Sequence, residues 1–95
     1  MQEEMDIISV NEVIFVTVNE ATRLRIFQLC DERNLTINKM CTMSGITQST
    51  INNIVNNRNK STTVSTIKKV CDGLEITMEE FFHSELFDHL EQEVK

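Results

Sequence analysis

Gly45 is one of only two glycines in 95 residues, and it separates two short stretches whose apolar residues follow helical spacing. A residue free to take positive φ at such a point lets one helix stop and the next begin within about three residues. Residues 35–57, LTINKMCTMSGITQSTINNIVNN, therefore read as two short helices crossing steeply through a tight turn. Cys41, four residues before Gly45, supplies the small side chain at the crossing. Met40, Ile46, Ile51 and Ile54 are the apolar positions that lock the pair. A simple helical hairpin would not need a glycine at this place together with those four.

The helix starts carry a repeated chemistry. Thr36, Thr47, Thr63 and Thr77 each precede a periodic apolar segment, and a threonine hydroxyl there can accept from the free N–H groups of the first turn. Before three of them stands an apolar residue matched by another five positions on: Leu35 with Met40, Ile46 with Ile51, Ile76 with Phe81. That spacing is a hydrophobic staple, and Glu80 completes a capping box with Thr77. Five helices follow. The first runs from Asn19 to near Asn34 with Thr22, Ile26, Leu29, Cys30 and Arg33 along one stripe. The next two cover roughly 37–44 and 48–56. In the fourth, about 64–72, Val64, Ile67, Val70, Cys71 and Leu74 mark the buried side, and Gly73 is the expected stop. A fifth begins after Thr77 and buries Met78, Phe81 and Phe82.

The two ends are less regular. Val13 to Val18 is short and rich in β-branched residues, which favours an extended strand. Such a strand either pairs with its copy in a second chain or lies as an arm over its own core. Ser84 can cap a further helical segment in which Leu86, Phe87, Leu90 and Val94 form a stripe. The organisation expected is an acidic extended arm at 1–18, a helical domain at 19–83 and a helical tail at 84–95 that serves as a dimer contact or covers the core.

Charge is segregated along the chain. The net charge is −6. Residues 1–20 carry acids and no base, and 72–95 carry eight acids against Lys95. Residues 21–71 hold eight bases against only Asp31 and Glu32. Because screening limits exposed charges to about 8–10 Å at cell-like salt, a ligand at the middle segment feels mostly that segment. Uneven solvated helix faces would produce the same count. No run approaches the ~18 apolar residues that span a bilayer, and the acidic start lacks the basic region of a signal peptide, so a cytoplasmic protein is expected. Cys30, Cys41 and Cys71 are widely spaced, lack a Cys-x-x-Cys pair and fall on apolar helix faces, so they read as reduced core residues.

The residues Leu35-Thr36, Met40-Cys41, Gly45-Ile46-Thr47-Gln48-Ser49-Thr50-Ile51, Ile54 and Asn56, with Ser65 to Lys69, Asp72-Gly73-Leu74 and Glu80-Phe81-Phe82, carry a resemblance. The chain resembles the lambda-repressor and Cro-like helix-turn-helix family, also called the xenobiotic-response-element family, over about residues 19–83. This implies an all-α, five-helix domain that binds double-stranded DNA in a sequence-specific way, commonly as a homodimer. The sequence departs from the family at three places. Ile37 stands where a phosphate-binding Gln is usual, Asn57 replaces a customary Gly, and Thr62 occupies a frequent Pro position.

With Ile51 and Ile54 turned inward, the outward positions of the third helix are Gln48, Ser49, Asn52, Asn53 and Asn56, with Thr50 at the flank. Gln and Asn amides present a donor beside an acceptor, matching the N6 and N7 edge of adenine in the major groove. Gln48 and Asn53 are the expected base readers, with Ser49 and Thr50 as adaptable partners. Asn52, Asn56, Asn57, Arg58 and Lys60 are expected along the phosphate backbone, and Arg58 is the principal positioning cation. Lys39, Lys68 and Lys69 are lesser candidates. The rival reading is a protein-binding module, antitoxin-like or sequestering a regulator, that keeps the fold and uses its apolar ends. No enzymatic activity, small-molecule substrate or cofactor is expected: the chain has no Gly-rich phosphate loop, and His83 and His89 fit no zinc pattern.

Overall fold

The computed structural model describes residues 15–56 and 61–94. Among these residues the chain forms five α-helices: α1 (Val18–Glu32), α2 (Ile37–Ser44), α3 (Gln48–Asn56), α4 (Val64–Leu74) and α5 (Met78–Phe82). A single 3-10 turn, Glu85–Phe87, follows. The fold is all-α, as the periodicity and the resemblance implied.

Every helix begins on a threonine. The hydroxyls of Thr36, Thr47, Thr63 and Thr77 accept from the backbone N–H three residues on, at 3.0, 3.3, 3.1 and 3.0 Å. Thr77 and Glu80 form the full capping box, Glu80 accepting from the Thr77 N–H at 2.7 Å. Thr17 does the same for Glu20 at 3.0 Å, so α1 starts inside the stretch that β-branching assigned to a strand. The cap takes only Val18 from that run: Val13 and Ile14 lie outside the described residues, and Phe15 to Thr17 precede the helix, with Val16 in an isolated bridge.

The helix ends repeat as well. Asn34, Gly45 and Glu75 adopt left-handed φ of 56°, 67° and 60°. After each, the next N–H reaches back five residues: Leu35 to Cys30 at 2.9 Å, Ile46 to Cys41 at 3.0 Å and Ile76 to Cys71 at 2.9 Å. These are Schellman closures, and each delivers an apolar residue, then a threonine, into the next cap. Leu35, Ile46 and Ile76 pack against the core that contains their staple partners Met40, Ile51 and Phe81.

The core is one cluster drawn from all five helices, with Ile26, Met40, Cys41, Val70, Cys71 and Phe81 fully enclosed. Cys30, Cys41 and Cys71 are buried free thiols.

Several expectations are corrected. Gly73 lies within α4, and the stop is Glu75. Gly73 instead lets α4 approach α2: a Cβ built on it would lie 2.2 Å from Ser44 Oγ and 3.0 Å from Ser44 Cα. Val64 is 70% exposed because it occupies the first turn of α4, beyond the edge of the core, and Phe82 is 40% exposed. Arg33 sits just past α1, exposed, donating to the Leu29 carbonyl at 3.3 Å. Beyond the 3-10 turn the tail is not a helical stripe. Val16 and Leu90 form a parallel bridge, in which Val16 N–H donates to His89 O at 3.2 Å and Glu91 N–H donates to Val16 O at 2.8 Å. Each end of the domain thus finds its partner in the other, a tertiary pairing that periodicity does not encode.

Candidate nucleic-acid interface

The chain leaves α2 through Gly45, whose absent Cβ would touch nothing within 4 Å. Its glycine therefore serves backbone conformation alone. Thr47 then fixes the start of α3 twice, accepting from Thr50 N–H and sharing a 3.1 Å hydroxyl contact with Thr50 Oγ1.

Ile51 and Ile54 anchor the inner side of α3 in the core. Gln48, Ser49, Asn52 and Asn56 are exposed, while Thr50 and Asn53 are partly buried. The amide side chains thus share the outward face of one short rod held to the core by two isoleucines. Asn53 and Thr50 border a polar cleft of about 170 Å³ that continues onto Ser61, Thr62, Thr63 and Thr66 at the start of α4. Asn57, Arg58 and Lys60 lie outside the described residues. Ile37 packs against the core cluster, so its position contributes no polar group at the start of α2.

Arg23 is a residue that pattern reading did not single out. Its Nε donates to the Val55 carbonyl at 3.3 Å, its Nη1 pairs with Glu20 at 3.2 Å, and its guanidinium lies 4.9 Å over the Phe27 ring. A cation at the carbonyl end of α3 also complements the helix dipole. Only its i, i+3 spacing from Glu20 and its i, i+4 spacing to Phe27 were visible in the sequence. Arg25 plays a comparable part elsewhere, capping α5 through the Phe81 and Glu80 carbonyls at 2.6 and 2.8 Å. Of the lesser lysine candidates, Lys68 is engaged on its own helix with Asp72, whose carboxylate raises the lysine pKa through a hydrogen bond and its charge.

A family model for the Cro/C1-type helix-turn-helix DNA-binding domain matches residues 25–85, which span α2, the Gly45 turn and α3. The chain belongs to the Cro/C1-type helix-turn-helix family. Within this family's motif, α2 is the first helix, Gly45 the turn and α3 the second helix. The chain is also similar to a solved structure described as the crystal structure of the prophage Lp1 protein 11. The two are 37% identical, with a TM-score of 0.68, over 74% of this chain and 92% of that one. No curated protein matches the chain. Within the matched span, α3 is the helix that follows the Gly45 turn and carries an exposed polar face. Among the described residues no helix is long and apolar enough to cross a membrane, and no group of three His, Cys, Asp or Glu could hold a metal ion.

Proposed function

We propose that this chain is a sequence-specific, double-stranded-DNA-binding transcriptional regulator of repressor type that acts as a homodimer and inserts α3 into the major groove. The observation that carries this reading is the amide face of α3, with Gln48, Ser49, Asn52 and Asn56 exposed above buried Ile51 and Ile54. Gln48 and Asn53 read base edges, with Ser49 and Thr50 adapting beside them. Asn52, Asn56, Asn57, Arg58 and Lys60 meet phosphates, and Arg58 does most to set the register. A single unit of this size makes few base contacts, so two copies on half-sites about 34 Å apart supply the specificity.

Selection of bound fragments from a random DNA pool, followed by mobility shift on the selected duplex, tests the reading. Asn53→Ala should cost on the order of 1–3 kcal/mol and relax preference at one position per half-site. Arg58→Ala should weaken all sequences alike and reduce the slope of log K against log salt by about one. Absence of any shift at low salt would refute DNA binding and leave the protein-binding module. Uniform weakening by Asn53→Ala with unchanged preference would remove its reading role.

A further inference from the structure

The bridge between Val16 and Leu90 leaves an open edge. His89 O and Glu91 N–H both point inward to Val16. In trans peptides the N–H and C=O of one amide point in opposite directions. The Leu90 N–H and Leu90 C=O therefore both point outward, and neither has a hydrogen-bond partner among the described residues. Beside this edge runs a groove of about 460 Å³ lined by Phe15, Leu90, Glu91, Gln92 and Val94. Phe15 and Val94 are 55% and 79% exposed. A one-bridge parallel ribbon with apolar side chains in water is a marginal arrangement that gains from another strand.

We propose that this edge is the contact between two copies of the chain, with the 89–91 segments pairing antiparallel about a two-fold axis through Leu90. A residue whose N–H and C=O face the same way can exchange both bonds with its symmetry mate, which is what a hydrogen-bonded antiparallel pair requires. That centre fixes the rest of the register. Glu91 comes opposite His89 of the second copy, so no carboxylate faces a carboxylate within the paired stretch, and Asp88, with φ −77° and ψ −30° at the close of the 3-10 turn, lies beyond it. Shifting the centre to Glu91 would set the two Glu91 side chains against each other. Apolar surface from Phe15, Leu90 and Val94 of both copies is then drawn together. The proposal rests on the two-copy reading above and adds its surface.

Sedimentation of the full chain without DNA tests it. The wild type should sediment as a dimer, and a wild type still monomeric at roughly tens of micromolar would overturn the edge. Leu90→Pro deletes the outward N–H and spares the inward Glu91 N–H, while also fixing φ at position 90 and restricting His89, so in a chain that melts as Leu90→Ala does it should raise the dissociation constant by roughly thirtyfold beyond Leu90→Ala, which removes the same side chain but keeps the donor. Equal effects of the two would overturn the strand pairing while leaving a dimer of another geometry. Glu91→Lys should weaken the dimer and the added His89→Glu should restore it. Failure of that rescue in a chain that still melts cooperatively would overturn the register. A monomer that nevertheless binds the selected duplex as two copies would separate loss of this edge from loss of the two-copy reading.

Discussion

Gly45 and Gly73 show how one residue type answers two different physical demands. Gly45 has φ of 67° and open space where a Cβ would be. Gly73 has no positive φ, and a Cβ there would meet the backbone and side chain of Ser44. The two should respond oppositely to the same probes. Gly45→Asn should be nearly neutral, because Asn tolerates the left-handed region, whereas Gly45→Ala should cost about 1 kcal/mol. Gly73→Ala should destabilise by about 1–3 kcal/mol through overpacking, although alanine is intrinsically the better helix former by about 1 kcal/mol. Urea unfolding of the three variants checks this, and a stabilised Gly73→Ala protein would refute the close approach of α2 and α4. The sequence made Gly45 readable because its role is local, set by the caps on either side. Gly73 was misread as a stop because its reason lies in α2, some thirty positions away, where nothing in its own neighbourhood points.

At the level of elements, the repeated order of left-handed residue, apolar residue and threonine sets where α2, α3 and α5 begin. It occurs as Asn34-Leu35-Thr36, Gly45-Ile46-Thr47 and Glu75-Ile76-Thr77. Because both halves of that signal are local hydrogen bonding and short-range packing, these boundaries were legible from residues alone. The tail was not. Leu86, Phe87 and Leu90 have helical spacing, but the Leu90 backbone segment pairs with Val16, some seventy residues earlier, and extended pairing takes precedence after the 3-10 turn. The same limitation hid Arg23, whose value comes from reaching the Val55 carbonyl across to α3. Arg23→Ala should cost about 1–2 kcal/mol by leaving that carbonyl and Glu20 with fewer partners, and should speed amide exchange in the last turn of α3. Arg23→Lys keeps the charge but not the guanidinium plane, so it should recover only part of the protection. Exchange rates along α3 that are identical in all three proteins would show that α1 does not steady the exposed rod.

For the molecule as a whole, the core is where a pH dependence is built in. Burial pushes the Cys30, Cys41 and Cys71 thiols above the ordinary value of 9.0, with smaller contributions from neighbouring charges. In the unfolded chain all three ionise near that ordinary value, whereas the native state keeps its protons to higher pH. Stability from this source is therefore fully present below about pH 9 and is lost as pH rises beyond it, because the unfolded state releases protons that the folded state retains. Each thiol can steepen the loss by up to about 1.4 kcal/mol per pH unit. Urea midpoints should be flat in this respect through neutral pH and fall steeply above pH 9, more steeply than in a Cys41→Ala, Cys71→Ala double variant compared with its own neutral value. The double variant starts lower, since it leaves cavities beside Cys30 and Met78, but its alkaline slope should be shallower. Equal slopes in the two proteins would mean that the thiols open to solvent before the domain unfolds, and that the helices around α2 and α4 breathe as a unit separate from the rest of the core.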